Sequence, residues 1–378
     1  MKLVISTDPI QAPMTGIGEY TLRLIEALLA TDGVEALYGY NRWGARRLES
    51  APPRPEAFVR QRPDGLARST LRRARRLFGM LAQSRALQRM DGVVYHEPNY
   101  LPARFDGPTV VTVHDLSHLH YPECHPRLRV RMLSYLLPRV LERAGAVITV
   151  SEFVAREVRK TFSLPAERVH AVHNGVDPGF CPLPAAAIAP TLARHGLSAD
   201  GYMLCLATLE PRKNLDRLLT AFAALPASLQ ARFPLVLAGA PGWRNEALRS
   251  RIERLAAGGK VRYLGYVPAE DRAALYAGAR AFAYPARYEG FGLPPLEAMA
   301  CATPVLTSNV SAMPEVVGEA ALTVDPADTE AIRDGLHQLC EDASLRERLR
   351  AAGPARAARF TWANCAQRTA IVYQQVAA

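Results

Sequence analysis

Two spacings of apolar residues alternate along this chain. Short apolar runs read as strands buried on both faces, and between them apolar positions recur every three to four residues, the spacing of a helix with one buried face. MKLVIST at 1–7 is the first run, and Leu22, Leu24, Ile25, Leu28 and Leu29 then predict a helix over Glu19–Ala30, reached through a loop from Asp8 to Gly18. A strand near Leu37–Tyr40 follows, then a helical pattern from Leu66 to Met90, strands at Gly92–Tyr95 and Thr109–Val113, a helix over 127–144 and a strand at Ala146–Val150. Ser151 has the side chain and the place of an N-cap for a helix over Glu152–Thr161, and Val169–Val172 is the last strand of this half. The second half repeats the alternation, with strands at Tyr202–Ala207, Pro234–Ala238, Lys260–Leu264, Ala281–Tyr284 and Leu322–Val324. Its helices fall over Asn214–Phe222 and Thr329–Cys340, followed by an arginine-rich one and a last one starting near Phe360-Thr361-Trp362. Such alternation predicts an α/β chain with two doubly wound, Rossmann-like parallel sheets. Pro178–Pro190, rich in proline and alanine, reads as the join. The expected boundaries are a first domain at 1–178, a linker at 179–200, a second domain at 201–358 and a terminal helix at 359–378.

Composition changes this picture little. At 378 residues the chain is long enough for two sizeable cores, and 49% hydrophobic with 22% charged residues is ordinary for a globular protein. No apolar run approaches the ~18 residues that span a bilayer, and MKLVISTDPIQ has neither the basic start nor the cleavage site of a signal peptide. A cytoplasmic protein is expected. Cys124, Cys181, Cys205, Cys301, Cys340 and Cys365 form no C-x-x-C pair, which argues for reduced thiols and against both a disulfide frame and a zinc site.

Charge matters through its placement. Thirteen arginines, no lysine and three acids lie between Arg42 and Arg89, a surplus of ten that equals the net charge of the whole chain, +10. Within it Leu71, Ala74, Leu77, Phe78 and Leu81 share a helical face bordered by Arg68, Arg72, Arg73, Arg75 and Arg76. A basic amphipathic helix of this kind suits an anionic membrane surface; a solvated face on an ordinary core helix fits as well. No aromatic–basic interleaving accompanies the charge, so nucleic acid is not an expected partner.

Chemistry-bearing residues gather after predicted strands, where ligands bind in open α/β sheets. The densest stretch is Tyr288-Glu289-Gly290-Phe291-Gly292-Leu293-Pro294-Pro295-Leu296-Glu297-Ala298-Met299-Ala300. Proline is at home in the first helical turn, so a helix is expected from Pro294 or Pro295, with the amides of Phe291, Gly292 and Leu293 at its start. Unpaired N–H groups and the helix dipole favour an anion there by ~0.3–1 kcal/mol. Glu289 and Glu297 would repel phosphate but are strong acceptors for hydroxyls. An anion cradle flanked by two such carboxylates suits a nucleotide sugar; an acidic surface loop entering a core helix fits the residue types equally. Arg212 and Lys213, in Leu209-Glu210-Pro211-Arg212-Lys213-Asn214, follow a strand and open a helix. They offer a planar fork and a point charge for a diphosphate, or are simply solvated. His114 stands directly after Thr109–Val113, as a functional group or a structural one. Gly16-Ile17-Gly18 after the first strand is half of a mononucleotide-binding turn, or only a tight turn. His118, His120 and His125 could suggest a metal site, but no dense carboxylate set joins them, and none is expected.

Glu289 and Glu297, with seven residues between them inside EGFGLPPLEAMA, resemble the E-x7-E signature of the retaining glycosyltransferases of family GT4. The resemblance continues through Ala302-Thr303-Pro304-Val305 and Ser308-Asn309 to Met313-Pro314-Glu315-Val316, and EPRKN, HNGVD, VTVHDLSHLHYP and TGIGEY carry it along the rest of the chain. It implies the GT-B fold, two Rossmann-like domains facing a central cleft, with the terminal helix crossing back to the first. It implies transfer of a sugar from a nucleotide-sugar donor with retention of configuration, without a metal or other cofactor. Arg212 and Lys213 would hold the diphosphate, with the backbone of Phe291, Gly292 and Leu293. Glu297 would hold the ribose, Glu289 a hydroxyl of the transferred sugar, and Tyr266 would frame the base. Gly16 and Gly18 would lie near the phosphates and the acceptor, and His114 would orient the sugar or the acceptor. The pattern as a whole looks most like bacterial mannosyltransferases of O-antigen or exopolysaccharide assembly, which commonly use GDP-mannose or a GDP-deoxymannose. A lipid-linked glycan acceptor is then expected, at the inner membrane's cytoplasmic face, with 42–89 against anionic lipid. A UDP-sugar enzyme remains open, as does a non-catalytic nucleotide-sugar binder, although the latter would predict damage to Arg212, Lys213, Glu289 or Glu297. One departure is Ala302, where the family usually has glycine; the added methyl is expected to cost some stability and little activity.

Overall fold

A computed structural model of the chain describes residues 1–12, 14–41, 43–55, 87–240 and 246–377. The basic helical pattern expected over 66–90 lies outside them except for 87–90, as does most of the segment 42–89. The chain divides into two compact units: Met1–Leu116 with Met132–Gly175 and Trp362–Ala378, and Ser117–Arg131 with Val176–Thr361.

The first unit carries seven strands: β1 (Lys2–Ser6), β2 (Ala36–Asn41), β3 (Gly44–Arg47), β4 (Val93–Glu97), β5 (Thr109–Val113), β6 (Ala146–Thr149) and β7 (Val169–Ala171). Their order is β3-β2-β1-β4-β5-β6-β7, parallel except for β3, which turns back on β2 as an edge that the apolar pattern did not reveal. Val4 of β1 pairs with Tyr38 of β2 on one side and Tyr95 of β4 on the other. The chain reverses its winding between β1 and β4, which makes the carboxyl ends of those two strands the natural crevice of the sheet. Parallel strands are covered on both faces, which is why β5, TVVTV, carries no polar alternation. Its buried Thr112 is satisfied by the Tyr20 hydroxyl (3.1 Å) and by His96 Nε2 (2.8 Å), and His96 Nδ1 meets the Tyr373 hydroxyl at 2.7 Å. The terminal helix, Trp362–Ala377, is thereby tied to the strands of the first unit.

The second unit holds β8 (Met203–Leu206), β9 (Leu235–Ala238), β10 (Val261–Tyr263), β11 (Ala281–Tyr284), β12 (Val305–Ser308) and β13 (Leu322–Val324). The order is β10-β9-β8-β11-β12-β13, parallel throughout, and the winding reverses between β8 and β11. The two halves are thus the Rossmann-like sheets that the strand–helix alternation predicts. All six cysteines are free thiols, and among the described residues no helix is long and apolar enough to cross a membrane.

Three local expectations are corrected. The first helix is Gly16–Leu29 rather than Glu19–Ala30, because the Thr15 side chain caps it by accepting from the Gly18 N–H at 3.2 Å. The stretch 179–200, read as a linker, contains the helix Ala185–Arg194, with Pro190 inside it and Ile188 and Leu192 buried. The helix of the acidic motif starts at Leu293, a residue before the prolines. Ala302 has φ +57°, a left-handed conformation that costs an alanine about 1 kcal/mol relative to glycine.

Candidate active site

The crevice of the second sheet is built by the loops that leave β8 and β11. After β8 the chain makes one tight turn over Pro211–Lys213 and passes through Asn214, at φ +64°, into the helix Leu215–Ala223. Asn214 tolerates that conformation well, and its amide nitrogen donates to the carbonyls of Pro285 (3.0 Å) and Pro326 (2.7 Å), which pins the turn to the β11 loop. The Arg287 N–H donates to the Arg212 carbonyl at 2.9 Å and joins the same two loops. Gly239 at the end of β9 permits the close approach, since a Cβ there would sit 1.9 Å from the Ala207 carbonyl oxygen.

These contacts bring side chains from two distant stretches of the sequence, 212–213 and 284–289, into one cluster. Lys213 Nζ donates to Glu289 Oε1 and, at 2.7 Å, to the Tyr284 hydroxyl. Arg212 Nη1 donates to the same Glu289 oxygen (3.1 Å) and to the Tyr288 carbonyl (3.2 Å), while Arg212 Nε takes Glu210 at 3.1 Å. Tyr284 also donates to Glu289 Oε1 at 2.9 Å. One carboxylate oxygen thus collects three donors, and among the described residues no hydrogen bond reaches Glu289 Oε2. Lys213 and Glu289 are 9% and 7% exposed, so their charges act in a medium far less polarisable than water. Burial, and then Arg212, hold the Lys213 amine below its ordinary pKa, against the pull of Glu289 and Glu210. Burial pushes the Glu289 carboxyl up, but Lys213 and Arg212 outweigh it and leave the group below the usual carboxylate value. Burial and the Glu289 charge raise Tyr284 well above an ordinary phenol, so it serves as a donor.

Glu289 is followed by the helix Leu293–Ala300, entered through Gly292 at φ +105°. A side chain at Gly292 would be strained by that angle and would meet the Met313 methyl at 2.2 Å. The Gly292 and Leu293 amides stand at the helix start, where an anion is favoured. Phe291 contributes its backbone, since its ring is buried edge-on against Phe360 (5.7 Å between centroids). Glu297, 6% exposed, accepts from the Tyr276 hydroxyl at 2.9 Å and faces Arg272 Nη1 at 3.8 Å. Tyr266 lies half-buried in the bend after β10, where the Gly265 carbonyl accepts from the Gly239 N–H at 2.7 Å.

His114, Gly16 and Gly18 belong to the first unit. His114 Nε2 lies 2.7 Å from the Pro98 carbonyl. A carbonyl can only accept, so the proton is on Nε2 and Nδ1 is left with a lone pair. Burial holds the imidazole below its ordinary pKa, against the Pro98 bond and Asp115, which favours the neutral ring. Tyr20 stands edge-on to it at 4.9 Å. Gly16 and Gly18 lie in the first turn of the helix Gly16–Leu29 rather than in a loop before it. A Cβ on Gly18 would meet Met14 Sδ and the Pro9 carbonyl at 2.7 Å, whereas one on Gly16 would meet nothing. Gly18 therefore has a packing reason and Gly16 has none. Of the nearby histidines, His125 Nε2 pairs with Ser117 Oγ at 2.9 Å and His120 packs against Tyr288. Among the described residues no cluster of metal-type ligands occurs.

Sequence reasoning missed Tyr284, Tyr276 and Asn214. The first ends a strand at the reversal of winding, which is the signal that could have found it.

Two family models cover most of the chain: Glycosyltransferase Family 4 matches residues 14–180 and Glycosyl transferases group 1 matches residues 193–356. O-antigen chain mannosyltransferase B of Escherichia coli is 40% identical over 388 residues, covering 99% of this chain and 100% of that protein. Serotype-specific mannosyltransferase WbdA of Escherichia coli is 35% identical over 268 residues, 68% of this chain but 32% of that longer protein. Among solved structures, the sucrose-phosphate synthase of Thermosynechococcus elongatus superimposes with a TM-score of 0.74 at 23% identity, covering 99% of this chain and 98% of that one. WaaG, a glycosyltransferase involved in lipopolysaccharide biosynthesis, gives 0.73 at 18% identity, covering 98% and 99%. At those identities the likeness is one of fold, GT-B.

Proposed function

This chain belongs to glycosyltransferase family 4, and from that premise we propose that it moves a mannosyl or deoxymannosyl group from a GDP-sugar to a lipid-linked glycan of a bacterial surface polysaccharide. The observation that carries the reading is the convergence of Arg212, Lys213 and Glu289 at the point where the second sheet reverses its winding. The full-length likeness to an O-antigen mannosyltransferase supports the choice of sugar.

The reaction we propose retains configuration and requires no metal. The bond from the sugar C1 to the β-phosphate oxygen breaks and its electron pair goes to the diphosphate. The acceptor hydroxyl bonds C1 on the same face and passes its proton to the departing phosphate oxygen. The difficult charge is the one growing on the diphosphate. Arg212, Lys213 and the amides of Gly292 and Leu293 would stabilise it without reorganising, and removing one such donor typically costs about 10²–10³ in rate. Glu289 Oε2 would take a hydroxyl of the sugar, Glu297 the ribose and Tyr266 the base, and His114 Nδ1 would accept from a substrate hydroxyl.

Thermal stabilisation by GDP, UDP and ADP in parallel tests the donor. GDP at a hundred times its Kd is expected to add about 2.7 kcal/mol. A shift with UDP instead would overturn the GDP assignment, and silence with all three would sink the site.

A location at the cytoplasmic face of the inner membrane forms part of the proposal. Besides the basic segment 42–89, the helix Arg127–Arg143 supports it. Leu128 (74%), Met132 (43%) and Tyr135 (62%) are exposed there at helical spacing, in company with Arg127, Arg131, Arg139 and Arg143. Such a face suits anionic headgroups. The protein is expected to sediment with phosphatidylglycerol vesicles at low salt and not with phosphatidylcholine ones. Failure to bind either would end the membrane part of the reading.

A further inference from the structure

The crevice of the first sheet holds a buried carboxyl group, Glu97, that no step above uses. Glu97 ends β4, beside the reversal of winding between β1 and β4. Both of its oxygens are engaged: Oε2 accepts from the Tyr95 hydroxyl at 2.9 Å and Oε1 from the Asn99 N–H at 3.1 Å. The second bond closes a short turn over Pro98 and Asn99 and fixes the direction of the Pro98 carbonyl. That carbonyl accepts from His114 Nε2 at 2.7 Å. The turn then passes through Tyr100 at φ +60°, a left-handed conformation that tyrosine seldom adopts. Tyr100 is held there from the far side, since its hydroxyl lies 3.1 Å from the carbonyl oxygen of Asp115 and 3.2 Å from its Oδ1. A strained, over-determined turn beside a functional group is where backbone geometry is spent on positioning.

We propose that Glu97 is the positioning residue of His114: it holds the turn whose Pro98 carbonyl takes the Nε2 proton, and so keeps the Nδ1 lone pair available to a substrate hydroxyl. The inference rests on the role given to His114 above. Glu97 is surrounded by groups that make its ionisation sensitive. Burial pushes its carboxyl up to about 8, Asp8 adds to the rise, and hydrogen bonds from Tyr95, Ser6 and Asn99 oppose it. Tyr40 and Tyr95 are in turn raised, by burial first, with Glu97 contributing to both.

The test uses the full chain with ¹⁵N-labelled histidine. The His114 ring should show the Nε2–H tautomer in the wild type and in Glu97→Gln, which keeps an acceptor for the Asn99 N–H, and a mixture of tautomers in Glu97→Ala. In parallel, kcat should fall at least tenfold in Glu97→Ala and recover to within about threefold in Glu97→Gln. The double variant Glu97→Ala/His114→Ala should be no slower than His114→Ala, because a residue acting through His114 has nothing left to act on. An unchanged tautomer in Glu97→Ala, or losses that multiply in the double variant, would overturn the proposal. Wild-type turnover in His114→Ala would instead overturn the role of His114, and that result is read without any change at Glu97.

Discussion

Replacing Lys213 by alanine is expected to abolish stabilisation by a nucleoside diphosphate and to lower turnover by about 10²–10³, while the unliganded protein still folds. The reasoning weighs two costs. A buried ammonium is expensive to desolvate, and burial together with Arg212 already holds Lys213 below its ordinary pKa, so removing it relieves a strain on the folded state. Its removal also takes a partner from Glu289. That carboxylate keeps Arg212 at 3.1 Å and Tyr284 at 2.9 Å, so the loss falls well short of the ~3–5 kcal/mol of a fully orphaned buried charge. Lys213→Arg is not expected to restore activity, because a planar guanidinium cannot occupy a pocket shaped for a point donor between Tyr284 and Glu289. Melting curves of both variants with and without GDP check this. An undiminished nucleotide shift in Lys213→Ala would place the diphosphate elsewhere.

Most strands were legible because apolar runs buried on both faces leave a clear mark: β5 and β11 have the bounds that their residues suggest, although β12, equally buried, was not among the expected strands. What was illegible depended on side chains acting across the chain. The first helix begins early because a single threonine hydroxyl caps it, and so the glycines that looked like a phosphate turn are helical. Residues 179–200 looked like a linker because proline and alanine carry little periodic signal, yet Ile188 and Leu192 bury enough to hold a helix there. In the site, the acidic and basic motifs could be read residue by residue. Their mutual neutralisation could not, because Arg212 and Glu289 are brought together only by the adjacency of β8 and β11. Glu97 escaped notice for a similar reason: it ends a strand whose expected bounds stopped at Tyr95, and its meaning appears only when Pro98 is seen to face His114.

That neutralisation leads to the second large effect. One oxygen of Glu289 already engages the two cations that a diphosphate would need under the proposed reading. With Glu210 on Arg212 Nε, two carboxylates balance two cations, and an arriving diphosphate has to draw the cations from Glu289. On the proposed reading the carboxylate would keep Arg212 and Lys213 aimed before the donor arrives, at the expense of affinity. Glu289→Gln keeps the shape and removes the competing charge. Two unit charges 4 Å apart interact by about 4 kcal/mol at an effective dielectric of 20. Part of that is lost because Lys213, without Glu289 to raise its pKa, is protonated less of the time. About tenfold tighter binding of GDP is therefore expected at neutral pH. Turnover should fall by at least 10², because the amide no longer offers a charged acceptor to the sugar hydroxyl at Oε2. The opposite signs make the experiment discriminating. Calorimetry with GDP and steady-state kinetics on the same preparation read both, and weaker GDP binding together with slower turnover would mean that Glu289 supports the cations without competing for them.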